Sequence, residues 1–182
     1  MKTLFNLKYS SKHTEELDVY LPDGKGFTAV VYFHGGGLQG GSKDDENYVE
    51  IAHSFVKKGY AFISVNYRMY PEAKYPEFIE DVAESVAWVF KNINNYGKST
   101  GIYVGGSSAG GYMSQLLCFN KDYLGKHNIN VMDIAAFVHD AGQPTAHFNV
   151  LTKSGVDGRR VIIDETAPLY YVGIDKEYPP ML

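Results

Sequence analysis

The residues best placed to do chemistry are Gly106-Ser107-Ser108-Ala109-Gly110, a G-x-S-x-G string with Ser108 at its centre. It follows the apolar run "GIYVGG" and opens the helical pattern "AGGYMSQLLCF". On a sharp strand-to-helix turn a serine is held in a strained conformation, and its hydroxyl projects above the sheet. Glycines two before and two after it let strand and helix pass closely. The amide of Ala109, at the start of the new helix, points where a negative oxygen would form. The implied chemistry is attack on a carbonyl carbon through a covalent intermediate.

A second cluster supplies what such a site needs. In "VVYFHGGGLQGG", residues 30–41, a strand runs into a histidine and five glycines within seven positions. Without Cβ atoms this backbone can come close to a substrate, so the amides of Gly36 and Gly37 are expected to join Ala109 in an oxyanion hole. His34, at the strand end before the glycines, is read as a residue that orients the loop.

The same glycines have a competing reading. Gly35, Gly37 and Gly40 match G-x-G-x-x-G after a strand, the dinucleotide fingerprint. In that fold the helix opens inside the motif, whereas here "GSKDDEN" intervenes and brings three acidic side chains. The next strand ends in Asn66-Tyr67-Arg68, with no acid for a ribose. An NADP-binding oxidoreductase using Arg68 is the less favoured alternative.

The elements that must hold these residues alternate between strand and helix. Apolar runs at 28–34, 60–66 and 101–106 are strands of the kind covered on both faces. Residues 17–21 and 133–140 give two more. Helical spacing puts Tyr48, Ile51, Ala52 and Phe55 on one face, and Ile79, Val82, Ala83, Val86 and Phe90 on another, in a helix over 76–92. This pattern predicts one α/β domain over 1–182 with a mostly parallel sheet, whose ligands sit at the carboxyl ends of strands. Both glycine clusters lie there. The last residues, "YPPML", read as the lead-in to a further strand.

Composition fits a globular domain: 45% apolar and 21% charged over 182 residues, with a net charge of −4. That balance gives no footprint for nucleic acid or an anionic membrane. Cys118 is the sole cysteine, so no disulfide forms within the chain. The first residues lack a sustained apolar core for a signal peptide, and a cytoplasmic protein is expected. No histidine or cysteine spacing matches a metal site, and neither metal nor organic cofactor is expected.

Together "HGGG", "VNYRMYPEAKYPEFIEDV" and "GGSSAGGYMSQLL" resemble the α/β-hydrolase esterases of the hormone-sensitive-lipase-like group, with small bacterial carboxylesterases and acetylesterases the nearest in kind. The likeness runs from about 17 to 180. It implies a three-layer α/β-hydrolase fold with Ser108 as nucleophile, Gly36, Gly37 and Ala109 as oxyanion hole, and Tyr67 and Arg68 as structural residues. Asn66 stands where this family often has an acid. The resemblance further implies a serine carboxylic-ester hydrolase for short acyl esters, acetyl esters among them. It also places the triad acid and histidine after a later strand, beyond Leu182. On that expectation the chain holds the N-terminal and central part of its fold, and it self-associates or meets a complementary C-terminal chain. Within the chain the candidates for acid and base are His139, Asp140 and His147. A non-catalytic binding protein of this fold stays open beside the enzyme.

Overall fold

The computed structural model describes residues 1–12, 15–24, 26–173 and 176–182. Six strands form one sheet in the order β1-β2-β4-β3-β5-β6. They are β1 (Lys2–Lys8), β2 (Glu16–Leu21), β3 (Gly26–Phe33), β4 (Ala61–Val65), β5 (Lys98–Ser107) and β6 (Ala136–Asp140). The pairs β1–β2 and β2–β4 are antiparallel; β4–β3, β3–β5 and β5–β6 are parallel. Residues 180–182 lie beside β6 in the parallel sense, with Met181 opposite Phe137. The expected mostly parallel α/β architecture is what the chain forms.

The helices are α1 (Glu46–Lys57), α2 (Glu77–Asn92), α3 (Ala109–Phe119), and the short α4 (Asp122–Gly125) and α5 (Phe148–Lys153). The apolar stripe of α2 buries Phe78, Ile79, Val82, Ala83, Val86 and Val89. Fully burying each large side chain there contributes roughly 1.5–3 kcal/mol. They pack with Val31 and Phe33 of β3, Val104 of β5 and Leu116 of α3 in the main core. A smaller core, with Tyr48, Ala52 and Val56 of α1 against Val30 and Phe62, covers the opposite face of the sheet. Two covered faces explain why β3 and β4 are continuous apolar runs.

The structure departs from the sequence pattern in three details. The strand expected over 133–140 starts at Ala136, because Val131–Asp133 turns as a 3₁₀ helix. β1 carries no strong apolar alternation, and its residues are exposed or half-buried at the sheet edge. β2 alternates in sequence as a half-solvated strand would, yet Asp18 is fully buried in it. Lys43 closes over that carboxylate, with Nζ 2.9 Å from Asp18 Oδ1.

Candidate active site

β5 ends at Ser107 and α3 begins at Ala109, leaving Ser108 alone to turn the chain. It does so at φ 54°, ψ −111°, a conformation that side chains with a Cβ rarely adopt. Two ties hold it there: its amide donates to the Asp140 carbonyl at the end of β6 (2.8 Å), and its carbonyl accepts from Tyr112 (2.9 Å). The turn is this tight because Gly110 lies against β3. A Cβ on Gly110 would sit 2.0 Å from the Phe33 carbonyl oxygen. Ser108 itself is exposed, and its hydroxyl has no hydrogen-bond partner among the described residues.

The glycine loop after β3 meets this serine. A Cβ on Gly35 would lie 3.3 Å from Ser108 Cβ. Gly36 adopts φ 114° and turns so sharply that a Cβ would meet the Gly40 carbonyl at 2.0 Å. Its carbonyl accepts from the amides of Gln39 and Gly40, both at 3.1 Å. Among the described residues, no acceptor bonds the amides of Gly36, Gly37 or Ala109. A helix leaves its first amides unpaired, and here that end of α3 lies next to the glycine loop. The structure thus brings Ser108 and the glycine loop together, and leaves free the three amides expected to form an oxyanion hole.

His34 lies inside the loop, not on its open side. It is 2% exposed, its Nδ1 is 2.7 Å from the Gly35 carbonyl, and its ring stacks on Tyr67 at 4.4 Å. Burial lowers its pKa, which keeps the imidazole neutral. Tyr67 donates to the His34 carbonyl (2.7 Å). Arg68 is spent on Asp81 of α2 through a two-pronged pair at 2.8 and 2.7 Å. These are the orienting and structural roles that the sequence suggests. They also remove the NADP reading, since Arg68 is bound to carboxylates and the helix after the glycines opens only at Glu46.

The in-chain acid and base candidates are not brought together. His139 and Asp140 are successive strand residues, so their side chains leave opposite faces of the sheet. His139 Nδ1 pairs with Ser114 Oγ of α3 at 2.9 Å, whereas Asp140 Oδ2 lies 3.4 Å from the Tyr32 hydroxyl. The loop carrying His147 does fold back over the glycines, but His147 is 2% exposed and caps α5, accepting from the Asn149 amide. Burial pushes both imidazoles down to about 4.

Two residues of the loop's surroundings escape the sequence reading. Tyr48 accepts the Gly35 amide at 2.7 Å, although its helical spacing marks it only as a core residue. Asn149 donates to the Gly37 carbonyl at 2.5 Å from a segment with no periodic signal. No group of three or more His, Cys, Asp or Glu suited to a metal occurs among the described residues. No helix among them is long and apolar enough to cross a membrane.

The kynurenine formamidase of Danio rerio is 32% identical over 118 residues, covering 64% of this chain and 39% of that protein. The carboxylesterase NlhH of Mycobacterium tuberculosis is 38% identical over 89 residues, 48% of this chain and 28% of that protein. The chain spans under two fifths of the length of the curated relatives it matches. Among solved structures, a truncated carbohydrate esterase from gut microbiota superposes with a TM-score of 0.76 at 21% identity, over 100% of this chain and 75% of that one. That likeness shows the shared fold. Residues 17–141 match the BD-FAE family, and this stretch holds β2 to β6, the glycine loop and the Ser108 turn: the chain belongs to the BD-FAE family of α/β-hydrolase esterases.

Proposed function

We propose that this chain carries the nucleophile and oxyanion hole of a serine carboxylic-ester hydrolase acting on short acyl esters, acetyl esters foremost. One observation carries the reading: Ser108 is exposed at φ 54°, beside a glycine loop so close that a Cβ on Gly35 would lie 3.3 Å from Ser108 Cβ. Ser108 Oγ attacks the ester carbonyl, and the developing oxyanion is held by the amides of Gly36, Gly37 and Ala109. A base takes the hydroxyl proton and returns it to the leaving alcohol, giving an acyl-enzyme that water cleaves. Each oxyanion donor is worth about 10²–10³ in rate. The base and its partner acid are assigned to residues beyond Leu182, since His139 and His147 are engaged elsewhere.

The acyl group is read as short because the relatives include a formamidase and a carboxylesterase, and a structural neighbour is a carbohydrate esterase. The test is covalent labelling of the full-length protein with a fluorophosphonate, followed by intact mass. A single adduct that disappears in Ser108→Ala, together with faster turnover of p-nitrophenyl acetate than of the octanoate, supports the proposal. An adduct that persists in Ser108→Ala removes Ser108 from its role.

A further inference from the structure

The hydrogen-bonded backbone atoms of the glycine loop are held from several directions. The Gly35 amide rests on Tyr48 of α1, the Gly35 carbonyl lies beside His34 Nδ1, and the Gly36 carbonyl takes two amides of its own turn. The Gly37 carbonyl is different: its donor is Asn149 Nδ2, 112 residues later and on the far side of β6.

Gly37 is the place where an outside anchor matters most. It sits at φ 63° with no side chain to restrict it, and glycine has the greatest backbone freedom of any residue. A Cβ there would come within 3.1 Å of Asn149 Nδ2 and 3.6 Å of the Phe148 ring, so the start of α5 lies directly on the loop. Asn149 is itself fixed. Its amide donates to His147 Nδ1, and the buried His147 ring packs on Tyr112 of α3 at 5.2 Å. Tyr112 in turn donates its amide to the Ser108 carbonyl. The serine turn and the glycine loop are therefore tied to one another by a path through α3, His147 and Asn149.

We infer that Asn149 is a positioning residue: by holding the Gly37 carbonyl it fixes the backbone torsions of Gly37 and so aims the Gly36 and Gly37 amides at the oxyanion. This rests on the ester-hydrolase reading above. Asn149 touches no reacting atom; it acts through Gly37.

Its position in α5 supplies a discriminating variant. Asn149 is the second residue of the helix, where an aspartate suits the helix dipole but offers the Gly37 carbonyl no donor. If Asn149 only stabilised α5, Asn149→Asp would be neutral or favourable. As an anchor, Asn149→Asp must behave like Asn149→Ala. In the full-length protein both substitutions are expected to speed hydrogen–deuterium exchange across residues 35–41. They should lower kcat for p-nitrophenyl acetate about tenfold, less than loss of a whole donor, with KM little changed. Asn149→Gln, which restores a donor, should recover part of both. Asn149→Asp with unaltered loop exchange and kcat overturns the inference, and does so even if Asn149→Ala fails to fold. Turnover that survives Ser108→Ala sinks the ester-hydrolase reading instead, and the exchange data then still decide whether Asn149 holds the loop.

Discussion

The amide of Ser108 donates to the carbonyl of Asp140 at 2.8 Å, so the end of β6 pins the one residue that turns β5 into α3. That bond explains how a residue with a Cβ stays at φ 54°, ψ −111°. Conformations of this kind cost about 1–3 kcal/mol each and persist only where the surroundings over-determine them. Here the over-determination comes from β6, from the Tyr112 amide and from the close contact of Gly110 with β3.

The strain has a measurable counterpart. Ser108→Gly removes the Cβ and relieves it, offset in part by the greater freedom of glycine in the unfolded chain. A net gain of about 1 kcal/mol is expected, read as a higher urea midpoint. Ser108→Ala keeps the Cβ and should leave the midpoint near that of the parent. Both lose the hydroxyl and both should lose esterase activity. A midpoint for the glycine variant below that of the alanine variant, as the entropy of glycine alone would give, would show that the turn stores no strain.

Gly110 tests the same turn from the other side. Its added Cβ would meet the Phe33 carbonyl oxygen at 2.0 Å, and that oxygen belongs to the central strand and cannot step aside. Gly110→Ala should therefore cost more than about 3 kcal/mol, the range reserved for overpacking with backbone displacement. The serine turn would open with it. Gly125→Ala, where the added Cβ meets nothing within 4 Å, is the control and should be near neutral.

Gly110 and the serine turn it permits show why the site is legible in the sequence. The turn at Ser108 and the loop at 35–37 are contiguous in the chain and built on local steric demands, so their residues sit together in the string itself. The same holds for the apolar runs of β3 and β4, since two covered faces leave no room for alternation. What lies outside the reach of local pattern is pairing at a distance. Asp18 in β2 looks solvated until Lys43 is placed over it. Arg68 looks available for a phosphate until Asp81 of α2 takes it. Asn149 lies in a stretch whose only helix has six residues, too short to show a period, and its bond to Gly37 spans 112 positions. β1 is an edge strand whose residues are never fully buried, so it has no apolar face to announce it.

Three histidines whose pKa burial lowers, His34, His139 and His147, make stability depend on pH. His139 and His147 titrate at about 4 in the folded chain, because burial disfavours the charged ring. An ordinary histidine titrates near ~6.5, so the unfolded chain binds these protons first. Their contribution is fully present above about pH 6.5 and is lost as the pH falls toward 4. Urea midpoints should drop steadily across that window. His147→Asn keeps a side chain able to cap α5 but removes one titrating ring, so its decline between pH 6.5 and 5 should be shallower than the parent's. An unchanged slope would mean that His147 is not protonated on unfolding in this range.

The last prediction concerns the exit of the glycine loop. Lys43 follows it with only 1% of its side chain exposed; its Nζ is 2.9 Å from Asp18 Oδ1 and 2.7 Å from Asp44 Oδ1. Its amide is held by the Asn66 side chain at 2.7 Å, so the residue standing where the family often has an acid instead fixes the loop's path. Burial raises the Asp18 pKa even with the lysine present, opposed by the Asn6 amide and by Lys43. Removing one partner of a buried pair leaves an uncompensated charge and costs about 3–5 kcal/mol. Lys43→Met, similar in volume, isolates that effect: Asp18 then gains a still higher pKa, and the fold favours its protonated form. For a carboxyl raised in this way, stability is intact below the unfolded value near ~3.9 and is lost as pH rises through the folded one. The variant should therefore be most destabilised at neutral pH and recover part of the loss on acidification toward pH 5. Asp18→Asn in the Lys43→Met background should restore stability at neutral pH by deleting the stranded charge. A destabilisation of Lys43→Met that is the same at pH 7.5 and 5, and is not relieved by Asp18→Asn, would place the cost in lost packing and not in the pair.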